Sequence, residues 1–195
     1  EQAKNMQIVN CWVCELPNSI ELIGGENIVL KNCQLGAQPT GITCKVQEVN
    51  KLSFINNQVY PDGRENLVLD ACNNCVIEGN NFKSYYNGIL VLNGNDNTVN
   101  KNIFWLTGAV QNQLLDHGDD FGIINVKGNN NMVTSNSLSC EWAYAGAVTV
   151  NAVQGTGNVF KNCFVDNLES YRVFLVNAQT EVSNCVSSDK ASIVE

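Results

Sequence analysis

Short segments of similar composition recur along the whole chain at intervals of little more than twenty residues. Examples are NMQIVNC, NIVLKNC, KLSFINN, NTVNKNI and GNVFKNC. Aligned on a closing asparagine, eight such segments follow in steps of 22, 24, 24, 22, 34, 26 and 22 residues; these asparagines are Asn10, Asn32, Asn56, Asn80, Asn102, Asn136, Asn162 and Asn184. Self-similarity at this period indicates a solenoid, in which each repeat forms one coil and packs on its neighbours.

A second run of residues lies between successive asparagines. These runs read SIELI, GITCKV, NLVLD, GILVL, GIINV, AVTVN and RVFLV. They are β-branched or leucine-rich, as expected of strands that line a buried interior, and they lack the period of helical repeats. We therefore predict an all-β fold, a right-handed parallel β-helix of about eight coils of 22–26 residues with one long insertion. It forms a single domain over 1–195, and we expect further coils or a cap before Glu1.

The asparagine of each repeat has a physical role at a tight turn. Asparagine tolerates left-handed backbone conformations, and its amide can bond to the same amide one coil away, which builds a ladder. A cysteine follows this asparagine in four repeats, at Cys11, Cys33, Cys163 and Cys185. Cysteine is a small apolar residue that can stack in one column.

Two Cys-x-x-Cys pairs resemble the halves of a zinc site. They are Cys11 with Cys14 and Cys72 with Cys75. The repeat separates the pairs by three coils, about 14 Å at a strand spacing of about 4.8 Å, so they cannot share one metal ion. We predict buried, reduced thiols, no metal site and no cofactor. Reduced thiols fit the cytoplasm, another reducing compartment or an anaerobic habitat.

Charge excludes two classes of partner. The chain has 11 basic and 19 acidic residues, a net charge of −8. No basic stripe is available to neutralise nucleic-acid phosphates, and the charge has the wrong sign for an anionic membrane surface. No run of 18 apolar residues spans a bilayer. The chain opens on Glu1 without a methionine, so we expect a processed product or a piece of a longer protein, and a removed export signal is compatible with it.

The 34-residue step from Asn102 to Asn136 contains the insertion, WLTGAVQNQLLDHGDDFG. Long loops on a rigid solenoid are frequent functional sites. Carboxylates, amides and aromatic rings are the groups that bind sugars, and Trp105, Asp119 and Asp120 supply them. We predict these three as substrate-binding residues. The alternative is that Asp116, Asp119 and Asp120 are solvent-exposed residues of a loop without a binding role. The sequence places no partner near His117 that would make it a general base.

A second acidic cluster lies in the first coil, VNCWVCELPNSIELIGG. Glu15 lies in a turn, and Glu21 lies between Ile20 and Leu22, so alternation directs it outward. Glu141 occupies the same turn phase as Glu15 but lies about 24 Å away, five coils on. The two cannot act on one glycosidic bond within one chain. We predict Glu21 and Glu141 as further substrate-binding residues.

The order of coils resembles the C-terminal part of the inulin fructotransferase family, which forms or hydrolyses difructose dianhydrides. The most specific stretches are NCWVCELPNSIEL and DDFGIINVKGNNNMVTSN. The resemblance implies a homotrimer of β-helices with active sites between subunits, a fructan substrate, and Glu15 as general acid. The family's second catalytic residue is an aspartate eleven residues earlier, where this chain has Lys4.

Three functions remain open. The first is glycosyl transfer or hydrolysis at fructosyl linkages, with Glu15 as catalytic acid. The second is a non-catalytic carbohydrate-binding or structural β-helix, such as a segment of a trimeric phage tail spike or adhesin, which fits the missing aspartate. The third, a lyase or polygalacturonase-like hydrolase, is disfavoured because such enzymes use clustered basic residues against acidic sugars, and the chain has only 11.

Overall fold

The repeat folds as predicted. The structure, a computed structural model, describes residues 3–107, 121–140, 148–167, 172–188 and 192–194. Over these residues the chain is an all-β right-handed parallel β-helix of about seven turns without a helix. This is slightly fewer than the eight coils predicted, because the eight strands of the shorter sheet are separated by seven steps. No helix long and apolar enough to cross a bilayer occurs in the described part of the chain.

The described strands are numbered in chain order. They are β1 (Ala3–Lys4), β2 (Gln7–Val9), β3 (Trp12–Leu16), β4 (Ile20–Lys31), β5 (Gln34–Ala37), β6 (Cys44–Ile55), β7 (Gln58–Val59), β8 (Leu67–Asp70), β9 (Val76–Glu78), β10 (Asn81–Ser84), β11 (Leu90–Asn93), β12 (Thr98–Asn100), β13 (Ile103–Leu106), β14 (Ile124–Val126), β15 (Met132–Thr134), β16 (Ser137–Cys140), β17 (Val148–Ala152), β18 (Val159–Lys161), β19 (Phe164–Asn167), β20 (Arg172–Val176), β21 (Glu181–Ser183), β22 (Val186–Ser187) and β23 (Ser192–Val194).

Each coil has three faces. Face 1 contains the first halves of β4 and β6, followed by β8, β11, β14, β17, β20 and β23. Face 2 contains β2, the second halves of β4 and β6, and then β9, β12, β15, β18 and β21. The strands β4 and β6 turn the corner between these faces, which joins them into one sheet. Face 3 is the second sheet, β3, β5, β7, β10, β13, β16, β19 and β22.

The core is a set of columns of inward residues. On face 1, Cys44, Leu67, Leu90, Ile124 and Val150 are stacked in register, and each is at most 1% exposed. Alternation along each strand directs every second side chain inward, so one buried column follows from one repeated apolar position.

Aromatic rings continue the core inside the other two faces. The ring centroids of Phe54 and Phe82 lie 5.9 Å apart, and those of Phe82 and Phe104 lie 5.0 Å apart in a stacked arrangement. All three rings are fully buried. They join the interiors of faces 2 and 3 into one hydrophobic core.

The predicted asparagine ladder lies at the turn between faces 2 and 3. The ladder consists of Asn57, Asn80, Asn102 and Asn136. The main-chain N–H of each of the first three donates to the Oδ1 of the next, at 2.8–2.9 Å. The Nδ2 of each of the first three donates to the same oxygen at 2.9–3.1 Å. These amides are at most 2% exposed. Each hydrogen bond therefore satisfies a group that has no access to water.

The alignment of the repeats placed in one column residues that belong to two adjacent columns of the structure. Asn10, Asn32, Asn56, Asn162 and Asn184 have φ between 53° and 58° and precede the ladder position, whereas Asn80, Asn102 and Asn136 occupy it. The ladder position therefore reads, coil by coil, Cys11, Cys33, Asn57, Asn80, Asn102, Asn136, Cys163 and Cys185. The cysteines do stack in one column, as predicted, and they stack with the asparagines of the ladder itself.

We expect Asn102→Ala to lower the free energy of unfolding by about 3 kcal/mol. The change removes the acceptor of the Asn80 N–H and the donor to the Ile77 carbonyl, and both stay buried. Urea unfolding followed by circular dichroism measures the loss. Asn93→Ala is the control, because Asn93 is exposed and its amide donates only to the Asp70 carboxylate, at 2.7 Å. Equal losses in the two variants would contradict a structural ladder.

Candidate functional site

The longest connections lie at one corner of the coil, where the chain passes from face 3 to face 1. Between β7 and β8 the connection runs from Tyr60 to Asn66, and between β13, which ends at Leu106, and β14, which begins at Ile124, lies the predicted insertion. The turns from face 2 to face 3 have only two residues in the middle coils. Trp105 belongs to β13, so the insertion begins after it and is shorter than the sequence reading proposed.

Face 1, next to these connections, has a polar outer surface. Lys45 Nζ lies 3.3 Å from Glu21 Oε1, which confirms that Glu21 faces outward. In the neighbouring column, Gln47 Nε2 donates to Asp70 Oδ2 at 3.4 Å, and Asn93 Nδ2 donates to Asp70 Oδ1 at 2.7 Å. Carboxylates, amides and an ammonium group thus lie in rows along the stack, which suits a polar ligand that extends along several coils.

A depression of about 160 Å³ lies further along face 1, where β14 and β17 are neighbours. Its lining combines amides, one cation and apolar groups: Phe121, Asn125, Val126, Lys127, Asn151, Val153 and Gln154. We call it the Phe121 depression. The Lys127 and Gln154 side chains are exposed, whereas Asn125 is buried. A small depression with amides around an aromatic ring has the composition of a sugar-binding site.

Four hydrogen bonds hold the segment Phe121–Gly122 at this depression. Asn87 Nδ2 donates to the Phe121 carbonyl, and the Gly88 N–H donates to the Gly122 carbonyl, both at 2.8 Å. The Asn125 side chain accepts from the Gly122 N–H and donates to the Gly122 carbonyl, also at 2.8 Å. The end of the insertion is therefore fixed against face 1. The pair Asp119–Asp120 directly precedes Phe121 in the sequence.

The two predicted glutamates of the first coil lie far from the Phe121 depression. Glu21 is stacked four coils before Asn125, which is about 19 Å at the usual strand spacing. Glu15 lies in β3, on face 3 of the same coil. Its φ is 64°, its side chain is exposed, and its carbonyl accepts from Gln38 Nε2 at 3.1 Å. Within one chain, a single sugar linkage cannot contact both regions.

Lys4 is not paired with Glu15. It lies in β1, opposite Glu26 of β4 at the corner between faces 1 and 2, whereas Glu15 lies on face 3. The ion pairs of the described residues are Glu21–Lys45, Glu26–Lys51 and Glu78–Lys101, at 3.2–3.4 Å. The Glu15 carboxylate belongs to none of them.

Trp105 lies on the outer surface of face 3, one corner away from the polar surface of face 1. The Lys83 Nζ lies 4.7 Å from its ring centroid, a cation–π contact that covers part of the ring. The predicted residues Asp119, Asp120 and Glu141, with Asp116 and His117, lie outside the described residues.

Sequence reasoning missed Asn125, Asn151 and Lys127 as site residues. Asn125 lies in GIINV, which was interpreted as an ordinary core strand. An amide in the middle of an apolar strand is costly unless it is hydrogen-bonded, and this was the available signal. The bonds from Asn125 to Gly122 explain why the strand tolerates it.

All nine cysteines are free, and six of them are buried. Burial raises the pKa of the Cys44 thiol, and it raises the pKa of Cys75 to about 12. Cys185 differs, because a hydrogen bond from the Cys163 thiol lowers its pKa to about 7. No group of three or more His, Cys, Asp or Glu side chains in the described ranges could hold a metal ion. In the ladder column the thiols of Cys33, Cys163 and Cys185 donate to backbone carbonyls, those of Lys31, Lys161 and Ser183 among them, at 3.3–3.6 Å.

The fold and the polar face define the class of this protein, a parallel β-helix that shares its fold with carbohydrate-active enzymes. Residues 4–184 match the family of the periplasmic copper-binding protein NosD. The chain belongs to this NosD family. A search of curated proteins gave no significant match.

Solved structures share the fold at low sequence identity. The DFA-IIIase from Arthrobacter chlorophenolicus A6 without its lid is 22% identical with a TM-score of 0.80, covering 91% of this chain and 46% of that one. The same enzyme in complex with GF2 is 20% identical with a TM-score of 0.70, covering 97% and 55%. The A-module of the mannuronan C-5 epimerase AlgE6 from Azotobacter vinelandii is 10% identical with a TM-score of 0.64, covering 96% and 55%. The chain spans about half the length of these structures.

The family is that of a copper-binding protein, and copper takes nitrogen and sulfur ligands. The chain has a single histidine, His117, so a site of several imidazole ligands does not fit. Thiolates are ligands that Cu(I) prefers. The nine free thiols are the soft donors of this chain.

We expect Asn125→Ala to accelerate hydrogen exchange at the Gly122 amide, because the change removes the acceptor of that N–H and one anchor of the segment Phe121–Gly122. Exchange followed by mass spectrometry of peptides that contain Gly122 measures this. Asn93→Ala, a neighbouring exposed amide on face 1, should leave the Gly122 peptides unchanged. Unchanged exchange in Asn125→Ala would mean that the Asn125 side chain does not anchor the segment.

Proposed function

We propose that the protein binds an oligosaccharide or polysaccharide along face 1 and that the Phe121 depression holds one sugar ring. The observation that carries this proposal is the lining of the depression, which combines the amides of Asn151 and Gln154 and the Lys127 side chain with the half-buried Phe121. Sugar hydroxyls pair with amides and ammonium groups, and the apolar face of a sugar ring packs on an aromatic side chain. The rows of polar groups on face 1 extend the site for a longer chain.

The insertion contributes to this site through its acidic end. Asp119 and Asp120 directly precede Phe121, and the carbonyl of Phe121 accepts a hydrogen bond from Asn87. We assign the two aspartates to hydroxyl groups of the sugar. Glu21 is the proposed contact for a part of the polymer about four coils away on the same face. Trp105, on face 3, and Glu141 are further proposed contacts.

Phe121→Ala should weaken saccharide binding about tenfold, since the loss of one aromatic contact corresponds to about 1.4 kcal/mol. The backbone anchors of Phe121 are independent of its ring, so the variant keeps the segment in place. Calorimetric titration with oligosaccharides from inulin, levan and alginate measures the change. Phe164→Ala is the control, because Phe164 is an exposed phenylalanine on face 3. The proposal is wrong if no saccharide of this panel binds, or if both variants lose equal affinity.

A second candidate is chemistry at fructosyl linkages, with Glu15 as general acid. The fold match to DFA-IIIase supports it. The exposed carboxylate of Glu15 supports it as well, and a hydrogen bond from Gln38 to the Glu15 carbonyl fixes the backbone at this position. Its catalytic partner would come from a neighbouring subunit of a homotrimer, in the cleft between two β-helices.

For this candidate we expect wild-type protein to convert inulin, levan or a difructose dianhydride, and Glu15→Gln to reduce turnover by 10²-fold or more, as loss of a general acid does. Chromatography of the products measures turnover, and light scattering measures the trimer. Glu48→Gln is a matched control, since Glu48 is also exposed and has φ 54°. Turnover that survives in Glu15→Gln excludes Glu15 as the acid. Binding without any turnover supports the non-catalytic carbohydrate-binding function.

A further inference from the structure

Exposed apolar side chains are concentrated on the outer surface of face 3. Of the ten large apolar side chains that are exposed in the described part of the chain, five belong to strands of this face: Trp12, Leu16, Ile103, Phe164 and Val186. Trp12 is 77% exposed and Val186 is 59% exposed. Exposed apolar residues gathered on one face indicate an interaction surface.

The first residues of the eight face 3 strands form one outward column, which we call the face 3 column. The strand register stacks them from Trp12 of β3 to Val186 of β22. None of these eight residues is charged. The column begins with the apolar Trp12, continues with three amides, Gln34, Gln58 and Asn81, and is apolar at three of its last four positions.

The charged groups of this surface are already engaged. In the neighbouring outward column of face 3, the Lys83 ammonium group lies over the Trp105 ring, and Ser188 Oγ donates to Asp166 Oδ1 at 2.6 Å. The ion pairs of the described residues lie on faces 1 and 2 and at their turns. A surface with aromatic and aliphatic side chains and few charges has the composition of the centre of a protein–protein interface.

We propose that face 3 binds a second copy of this chain, with the two stacks antiparallel and related by a two-fold axis that runs parallel to the strands between the fourth and fifth coils. This axis places the first coil of one copy against the eighth coil of the other. Trp12 then packs on Val186 of the second copy, and Gln58 lies opposite Ser137 of the second copy. Each contact occurs twice, as two-fold symmetry requires.

The distribution of charge selects the antiparallel arrangement. With the axis parallel to the strands, the uncharged face 3 column lies against the same column of the second copy. An axis parallel to the stack would instead set this column against its neighbour and place Phe164 opposite Asp166 of the second copy. Burying a carboxylate against an aromatic ring is unfavourable, because the charge loses its contact with water.

The size of the surface sets the expected affinity. The eight strands extend over about 34 Å along the stack, and strands of four residues are about 13 Å wide. This is smaller than a standard interface of about 800 Å² per partner, so we expect a dimer that dissociates at micromolar concentrations. Trp105 lies at the rim of the surface toward face 1. Face 1 stays free, so this inference does not depend on the proposed sugar site.

The test is sedimentation equilibrium of the reduced chain over a range of concentrations. We expect the mass to rise from that of one chain, 21.3 kDa, to twice this value. Ile103→Lys should raise the dissociation constant at least about tenfold, because the two copies of this position lie next to the two-fold axis and like charges there repel each other. Met132→Lys is the matched control, since Met132 is 49% exposed, as against 50% for Ile103, but lies on face 2.

A pair of charge changes tests the orientation. Trp12→Lys and Val186→Glu should each weaken the dimer, and the double variant should regain affinity, because the two new charges meet across the interface. Within one chain these positions are seven coils apart, about 34 Å, so only the antiparallel arrangement brings them together. A double variant that is weaker than either single variant overturns the arrangement.

The proposal is also overturned if the chain stays monomeric at every concentration, or if Ile103→Lys and Met132→Lys weaken association equally. A mass of three chains overturns the two-fold dimer and supports the subunit cleft of the fructosyl candidate instead. Circular dichroism of each variant checks that the β-helix is retained. Saccharide titration of Ile103→Lys should match the wild type, which separates a failure of the interface from a failure of the sugar site.

Discussion

The hydrogen-bonded column between faces 2 and 3 is the constraint on which the other features of this protein depend. The main-chain N–H of one coil donates to an asparagine side chain of the next, from Cys33, which donates to Asn57, to Asn102, which donates to Asn136. A second, shorter column links Cys75, Asn97, Asn131 and Asn158 in the same way at the other internal corner. With two corners held by buried hydrogen bonds, successive coils cannot slip in register.

Fixing two corners leaves the third free to vary. The connections from face 3 to face 1 differ in length from coil to coil, and the insertion of the 34-residue repeat lies there. Loops on a rigid scaffold can change without disturbing the columns beside them. The Phe121 depression lies where such a loop returns to face 1, anchored by Asn87 and Asn125.

The repeat carried most of the fold information. Its period, the apolar runs and the asparagines predicted a parallel β-helix, and the outward direction of Glu21 followed from alternation alone. The candidate site was harder to predict. Asn125 and Asn151 come from different coils, and Phe121 comes from the end of an insertion, so their proximity depends on which residues stack. A one-residue error in the alignment, as occurred at Asn57, changes the face on which a residue lies.

The sequence by itself therefore determined the architecture, because the same preferences for strands and turns occur in each of its eight repeats. It did not determine that cysteine and asparagine share a column, since the sequence alignment placed the cysteines one residue after the ladder and the strand register puts them in it. Only the tertiary structure decided which residues of neighbouring coils lie next to each other. Cys163 and Cys185 are 22 residues apart in sequence, and they lie at equivalent positions of neighbouring coils because parallel strands in register place equivalent residues about 4.8 Å apart. The separation of Glu15 from the Phe121 depression has the same origin, since distance along the stack counts coils rather than residues.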